Sequence, residues 1–334
     1  MVLTFGEILL RFSPRLGGVW IEESSFPVFV GGAELNAAQA LAAWDVPVSY
    51  FSALPENGLS QDIVQYLQSK NIGTDKIHWG GERIGVYMLP QGADLKNAGV
   101  IYDRAHSSFS ALRADDMDWD QLFDRVEYFH LSAISPALNQ GVADLCIAAA
   151  KEAHSRGIKV TFDLNYRAKL WKYGKDPVEI VPQIIPYCYL VMGNIWAANT
   201  LLDIPIDGEV AQNKVGKEEY LQAGKESANE LMNRYPNVQK VAYTFRFDTL
   251  PEGIEYYATL LSGNDFVDSP EFRVDHVVDK VGSGDCFMAG LLYGLVNQST
   301  PQETINFAAS AAFGKLQEYG DATSQSIEQI LNRL

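Results

Sequence analysis

Chemistry in this chain is suggested first by "DKVGSGDCFMAGLLYGL", which runs from Asp279 to Leu295 and sets two glycines around Ser283, an acid at Asp285 and then an apolar helix. Glycine lifts the steric limits on the backbone, so the N–H groups of Gly282, Ser283 and Gly284 can converge on one point. The start of the following helix adds unpaired N–H groups and the positive end of its dipole, and the point becomes attractive to an anion. A phosphoryl-transfer site fits this arrangement: the amides hold the charge of the moving phosphate, and Asp285 accepts the proton of an attacking hydroxyl. The competing reading is a tight turn whose acid only complements the helix dipole.

Three further segments bear on that choice. "GGAELNAAQAL", Gly31 to Leu41, steps from two glycines straight into an apolar helix, which lets a ligand approach the backbone near Gly32 and lets Asn36 present an amide. "YDR" at Tyr102 to Arg104 accompanies Tyr87 in "GVYMLP", and "DLNYRAKLW", Asp163 to Trp171, follows an apolar strand. Ligands bind at the carboxyl ends of strands in open α/β sheets, which favours Arg167, and an arginine fork matches a carboxylate or phosphate with two hydrogen bonds. Either arginine alone is explained by an ion pair with one of the 42 acids, but together they suggest an anionic substrate. No GxxxxGK[ST] and no GxSxG occurs, so Ser283 is read as supplying an amide rather than a nucleophile.

The composition narrows the partners. A formal net charge of −16 argues against nucleic acid and anionic membrane, which need clustered Lys and Arg. With 334 residues, 47% of them apolar, the chain can bury the core of one large α/β domain or two smaller ones. "MVLTFGEILLRFSPRL" reads as a first strand rather than a signal peptide, and no apolar run reaches 18 residues. Cys146, Cys188 and Cys286 are widely spaced in apolar surroundings and are expected as buried free thiols in a reducing cytoplasm. There is no CxxC pair and no HExxH, and the five histidines are scattered, so no dedicated metal site is expected.

The elements that must position these residues are short β-rich runs such as "YFHLSAI", "IKVTFDLN", "YLVMGN" and "VQKVAYTFR" alternating with helical patterns, which predicts a mainly parallel sheet covered on both faces. A helix from about Ala33 to Trp44 should be buried, one from about Glu218 to Tyr235 amphipathic, and "TPQE" at Thr300 should open another with a capping box. Residues 11–30 and 83–107 contain strand-like runs with no helix between them and are expected to form a small antiparallel lid, useful for excluding water.

"DKVGSGDCF" resembles the C-terminal signature of the PfkB, or ribokinase-like, carbohydrate kinases, and "GGAELNAA" resembles their N-terminal signature, in the right order across essentially the whole chain. Within that family "GVY", "YDR", "HLSAISPAL" and "DLNYRAKLW" are most similar to the 2-keto-3-deoxygluconate kinase branch. The resemblance implies one α/β/α sandwich over residues 1–334 around a mainly parallel sheet with a β lid. It implies ATP, Mg²⁺ carried with the nucleotide, and a sugar acid phosphorylated on its 6-hydroxyl; it leaves open a monovalent cation near Asp279 and a homo-oligomer formed through the lid. By the same resemblance Asp285, ionised, is the base and Gly282, Ser283 and Gly284 the anion hole. Gly32, Asn36, Tyr87, Tyr102, Arg104 and Arg167 hold the sugar acid, Asn194, Thr244 and Arg246 lie near the triphosphate, and Asn306 lies near the adenine. The chain departs from the family pattern at Ala197, where an acid helps organise Mg²⁺, at "FRFDTLPEG" in place of a glycine-rich turn, and at Lys280 after the first Asp of the signature. A kinase of a neutral sugar, or a sugar-binding protein that kept the fold without turnover, are the alternatives.

Overall fold

The computed structural model describes residues 1–15, 19–90, 99–212, 215–249 and 253–334. In chain order its strands are β1 (Val2–Phe5), β2 (Leu9–Phe12), β3 (Val28–Gly31), β4 (Val48–Phe51), β5 (Ala53–Leu54), β6 (His78–Trp79), β7 (Gly85–Met88), β8 (Ile101–Asp103), β9 (Tyr128–Ser132), β10 (Lys159–Asp163), β11 (Cys188–Gly193), β12 (Lys240–Thr249), β13 (Gly253–Ser262), β14 (Asp265–Asp268) and β15 (Phe272–Val274). The longer helices are α1 (Ala33–Ala43), α2 (Gly58–Ser69), α3 (Gln140–Ser155), α4 (Ile195–Leu202), α5 (Lys217–Arg234), α6 (Ser283–Val296) and α7 (Pro301–Lys315).

The large sheet runs β4-β1-β9-β10-β11-β12-β13-β14, with β15 also on β13. Its pairs from β4 to β12 are parallel, and those made by β13 are antiparallel. Every residue of β1, β4 and β9 is buried, as a parallel sheet covered on both faces requires. Alternate strand residues feed two cores: Val2, Leu190 and Ala242 pack with α1, α6 and α7, while Leu3, Val191 and Tyr243 pack with α3, α4 and α5. The result is a three-layer α/β/α sandwich, as the resemblance implies. The helices expected at Ala33, Glu218 and Thr300 are α1, α5 and α7, and Thr300 and Glu303 close the capping box in both directions. All three cysteines are buried and unpaired. No helix among the described residues is long and apolar enough to cross a membrane.

Three sequence expectations need correction. "VLTFGEILL" is not one strand, because it breaks at Gly6–Ile8 into β1 of the large sheet and β2 of a separate four-stranded sheet, β3-β2-β7-β8. The break turns Glu7 inward to a buried ion pair with Arg104, and Gly6 passes so close to Glu34 that a Cβ would lie 2.1 Å from its Oε2. The small sheet is mixed rather than antiparallel, since β2 runs parallel to β7. It spans Leu9 to Gly31 and Gly85 to Asp103, and Trp20–Glu22 is a short 3₁₀ turn rather than strand. Residues 16–18 and 91–98 of the expected lid, and 250–252 of "FRFDTLPEG", lie outside the described residues.

Close packing of α6 on α7 holds the start of α6 in place. A Cβ at Gly290 would lie 2.5 Å from Ala308 Cα, and one at Gly294 would lie 2.5 Å from Thr304 Oγ1. Gly290→Val therefore forces backbone apart and should cost about 1–3 kcal/mol. The check is a lower urea midpoint at unchanged m-value, with Gly58→Ala, whose Cβ meets nothing within 4 Å, staying within about 0.5 kcal/mol of the parent.

Candidate active site

The carboxyl ends of the parallel strands, α1, the small sheet and the start of α6 enclose a cavity of about 530 Å³. Gly32, Asn36, Tyr87, Tyr102, Arg104, Arg167, Asn194, Thr244, Arg246, Gly282, Ser283, Gly284 and Asp285 all line it. Asn306 does not: it lies on α7, where its Oδ1 accepts from Gln302 Nε2 at 2.8 Å.

The turn before α6 is built as its glycines suggest. Gly282 caps the helix at φ 77°, a left-handed conformation, and a Cβ there would lie 1.8 Å from the Asp321 carbonyl oxygen. The first-turn N–H groups have no intrahelical acceptor, and Ser283 Oγ is occupied in donating to the Ala312 carbonyl at 3.1 Å, which leaves Ser283 an amide to offer. Gly32 enters α1 at φ 139°, where a Cβ would lie 2.4 Å from the Glu7 carbonyl oxygen.

Asp285 is buried in the first turn of α6 and accepts a hydrogen bond from Asn36 Nδ2 at 2.7 Å. Burial pushes its pKa up to about 7, against the opposing pull of Asn36 and Arg167 and with a further push from the charges of Glu34 and Asp321. Its carboxyl is therefore held well above the usual carboxylate range, against the effect of its helix position alone. Asp163 at the end of β10 is also buried and raised well above the carboxylate range, first by desolvation and then by the charge of Asp285.

The polar contacts explain the remaining residues. Tyr87 and Tyr102 face each other across β7 and β8 with ring centroids 6.2 Å apart, and Tyr87 donates its hydroxyl to Asp321 Oδ2 at 2.6 Å. Arg104 is not a free guanidinium: its Nε donates to Glu7 Oε2 at 2.6 Å within the protein. Arg167 is partly exposed to the cavity and is steadied by the Tyr166 carbonyl at 3.0 Å. Asn194 caps α4 by accepting from Ala197 N at 2.8 Å, and Thr244 on the neighbouring strand donates to the Gly193 carbonyl at 3.3 Å. Sequence reasoning missed Glu7, Asp163 and Lys280 as lining residues. The first two lie inside quoted stretches, and Lys280, which donates to Asp248 Oδ1 at 2.8 Å, was noted only as a departure from pattern.

Five cationic side chains line the cavity, Arg104, Arg167, Lys169, Arg246 and Lys280, in a chain of net charge −16. Strand order separates them: Arg104 and Arg167 stand with α1, the small sheet and β10, while Arg246 and Lys280 stand with β12 and the approach to α6. The arrangement can hold a small polar molecule at one end and an anion at the other, with Asp285 and the glycine turn on its wall.

Comparison with known proteins gives the family. The model of the pfkB family of carbohydrate kinases matches residues 1–328. The chain is 26% identical to 2-dehydro-3-deoxygalactonokinase of Haloferax volcanii, over 99% of this chain and 96% of that one. It is 25% identical to 2-dehydro-3-deoxygluconokinase of Bacillus subtilis, over 96% and 90%. A crystal structure of 2-dehydro-3-deoxygluconokinase from Thermotoga maritima superposes with a TM-score of 0.88 at 32% identity, covering 99% of this chain and 98% of that one. A match over nearly the whole chain makes the protein a member of the pfkB family of carbohydrate kinases, phosphotransferases with an alcohol group as acceptor.

Proposed function

We propose that the chain transfers the γ-phosphate of ATP to the 6-hydroxyl of 2-keto-3-deoxygluconate or its C4 epimer. The observation that carries this reading is Asp285, held by Asn36 beside the Gly282-Ser283-Gly284 turn in a cavity rich in arginine and lysine. The sugar acid lies at the end bounded by Gly32, Asn36, Tyr87, Tyr102 and Arg167, with Arg104 fixed by Glu7 at its edge, under the small sheet as a lid. ATP lies toward Asn194, Thr244, Arg246 and Lys280, with its adenine toward Asn306 beyond the residues that line the cavity.

In the reaction the 6-hydroxyl oxygen bonds to the γ-phosphorus, the bond to the ADP oxygen breaks, and the hydroxyl proton passes to the Asp285 carboxylate. The amides of the glycine turn, aimed at the moving phosphoryl group, stabilise its charge. Mg²⁺ carried in with ATP would neutralise charge on the phosphates; position 197, where the family pattern has an acid, is an alanine without a side-chain oxygen. The carboxylate of the sugar acid accounts for Arg167, while the Glu7 pair on Arg104 is the feature that favours a neutral sugar instead.

Asp285→Asn should lower kcat roughly 10²–10⁴-fold in an ADP-release assay and leave the sugar-acid KM within a few-fold. Because only the carboxylate accepts the proton, kcat/KM of the parent should be flat above pH of about 7 and fall tenfold per unit below it. A flat profile down to pH 5 would remove Asp285 as base. Arg167→Ala should raise the KM for 2-keto-3-deoxygluconate by roughly tenfold to a hundredfold without affecting fructose or ribose; equal effects on all three would shift the reading to a neutral sugar. The lid is also the contact proposed between copies, since Val28 on edge strand β3 and Ile101 on edge strand β8 are half exposed. Sedimentation should give a homo-oligomer that Val28→Lys dissociates, and a monomeric parent would end that part of the proposal.

A further inference from the structure

Behind the glycine turn four charged side chains meet out of contact with water. Arg11 of β2 is 1% exposed, Asp279 1%, Asp321 4% and Lys315 0%. Arg11 donates from Nη2 to Asp279 Oδ2 at 2.8 Å and to Ser13 Oγ at 3.2 Å, and from Nη1 to Asp321 Oδ1 at 2.9 Å. The other oxygens are taken as well: Asp279 Oδ1 accepts from Val281 N at 3.0 Å and Asp321 Oδ2 from Tyr87, while Gly320 N adds a second bond to Asp279 Oδ2 at 3.3 Å. Lys315 Nζ is turned to the Glu318 carbonyl at 3.1 Å.

This cluster sets the height of the anion turn. Asp279 lies three residues before Gly282, and the Asp321 carbonyl packs against Gly282 where a Cβ would be. The carboxylate of Asp321 also fills the space beside Gly31, where a Cβ would lie 2.3 Å from Oδ2. Arg11 thus ties the small sheet, the Gly-Gly entry to α1 and the turn before α6 into one unit.

The family resemblance leaves a monovalent-cation site beside Asp279 open, and the donor set does not fit one. Arg11 pairs with both acids, Lys315 adds a second buried positive charge beside them, and all four carboxylate oxygens already accept protein donors. We infer that Arg11 and Lys315 are the built-in cations of this kinase: Arg11 acts as a positioning residue for the Gly282-Ser283-Gly284 turn, and neither turnover nor folding requires a monovalent ion.

The inference rests on the kinase reading above, and its test has two readouts. ADP release from ATP, Mg²⁺ and 2-keto-3-deoxygluconate is measured at constant ionic strength in potassium, sodium, caesium and tetramethylammonium chloride, beside the thermal unfolding midpoint in the same salts. The expected result is a kcat within twofold across all four and a midpoint that potassium does not raise specifically. A fivefold or greater saturable activation by potassium, or a saturable potassium-specific rise in the midpoint, overturns it. Arg11→Met should lower kcat at least tenfold at a sugar-acid KM within threefold, and Arg11→Lys should recover part of that loss; a folded Arg11→Met with unchanged kcat overturns the positioning role. Should Arg11→Met not fold, Arg11→Lys carries the same comparison, with a several-fold lower kcat expected and parental kcat counting against the role. Absence of turnover in every salt with every sugar would count against the proposed substrate, while the midpoints would still decide the cation.

Discussion

A carboxylate kept where water is scarce is unstable unless protein dipoles replace its solvent, and the organisation around Asp285 follows from that requirement. Asn36 supplies the direct donor at 2.7 Å, and α6 supplies the positive end of its dipole. To bring both to one place, α1 and α6 must lie side by side on the same face of the large sheet, and both are buried almost all round for that reason. The glycines at 32 and 282 are then forced, since each stands where backbone from another segment leaves no room for a side chain.

The cavity also reconciles two facts that pull in opposite directions, an acidic chain and an anionic ligand. Long-range repulsion from the net charge is screened within about 10 Å in salt solution, so the local set of charges decides what enters. Pairing Arg104 with Glu7 and Lys280 with Asp248 gives those cations fixed positions, which suits recognition of shape as much as of charge. The fixed guanidinium and the raised Asp285 are linked in this sense: a low-dielectric site strengthens both attraction and repulsion.

Much of the site was legible because glycines, a helix-starting acid and arginines after strands have local meanings. The turn at Gly282, the buried α1 with Asn36, the strand end before Arg167 and the mainly parallel sheet could all be read from neighbouring residues. What escaped were interactions between distant segments: Arg11 reaches Asp279 across 268 positions and Asp321 across 310, and nothing local marks Asp321. The apolar run from Val2 to Leu10 hid a change of sheet, because hydrophobicity alone does not record which core a residue enters. Asn306 was placed by likeness rather than by local chemistry, and it is not among the residues that line the cavity. The ionisation of Asp285 depended on burial, which no spacing encodes.

The three buried cysteines have a practical corollary. Burial raises each thiol's pKa above its ordinary value, so the reactive thiolate is scarce as well as enclosed. Maleimide or iodoacetamide dyes should pass over the native chain under folding conditions. A cysteine installed on the exposed rim of the small sheet would then be the dominant labelling site, and fluorescence could follow that sheet without first removing the natural thiols.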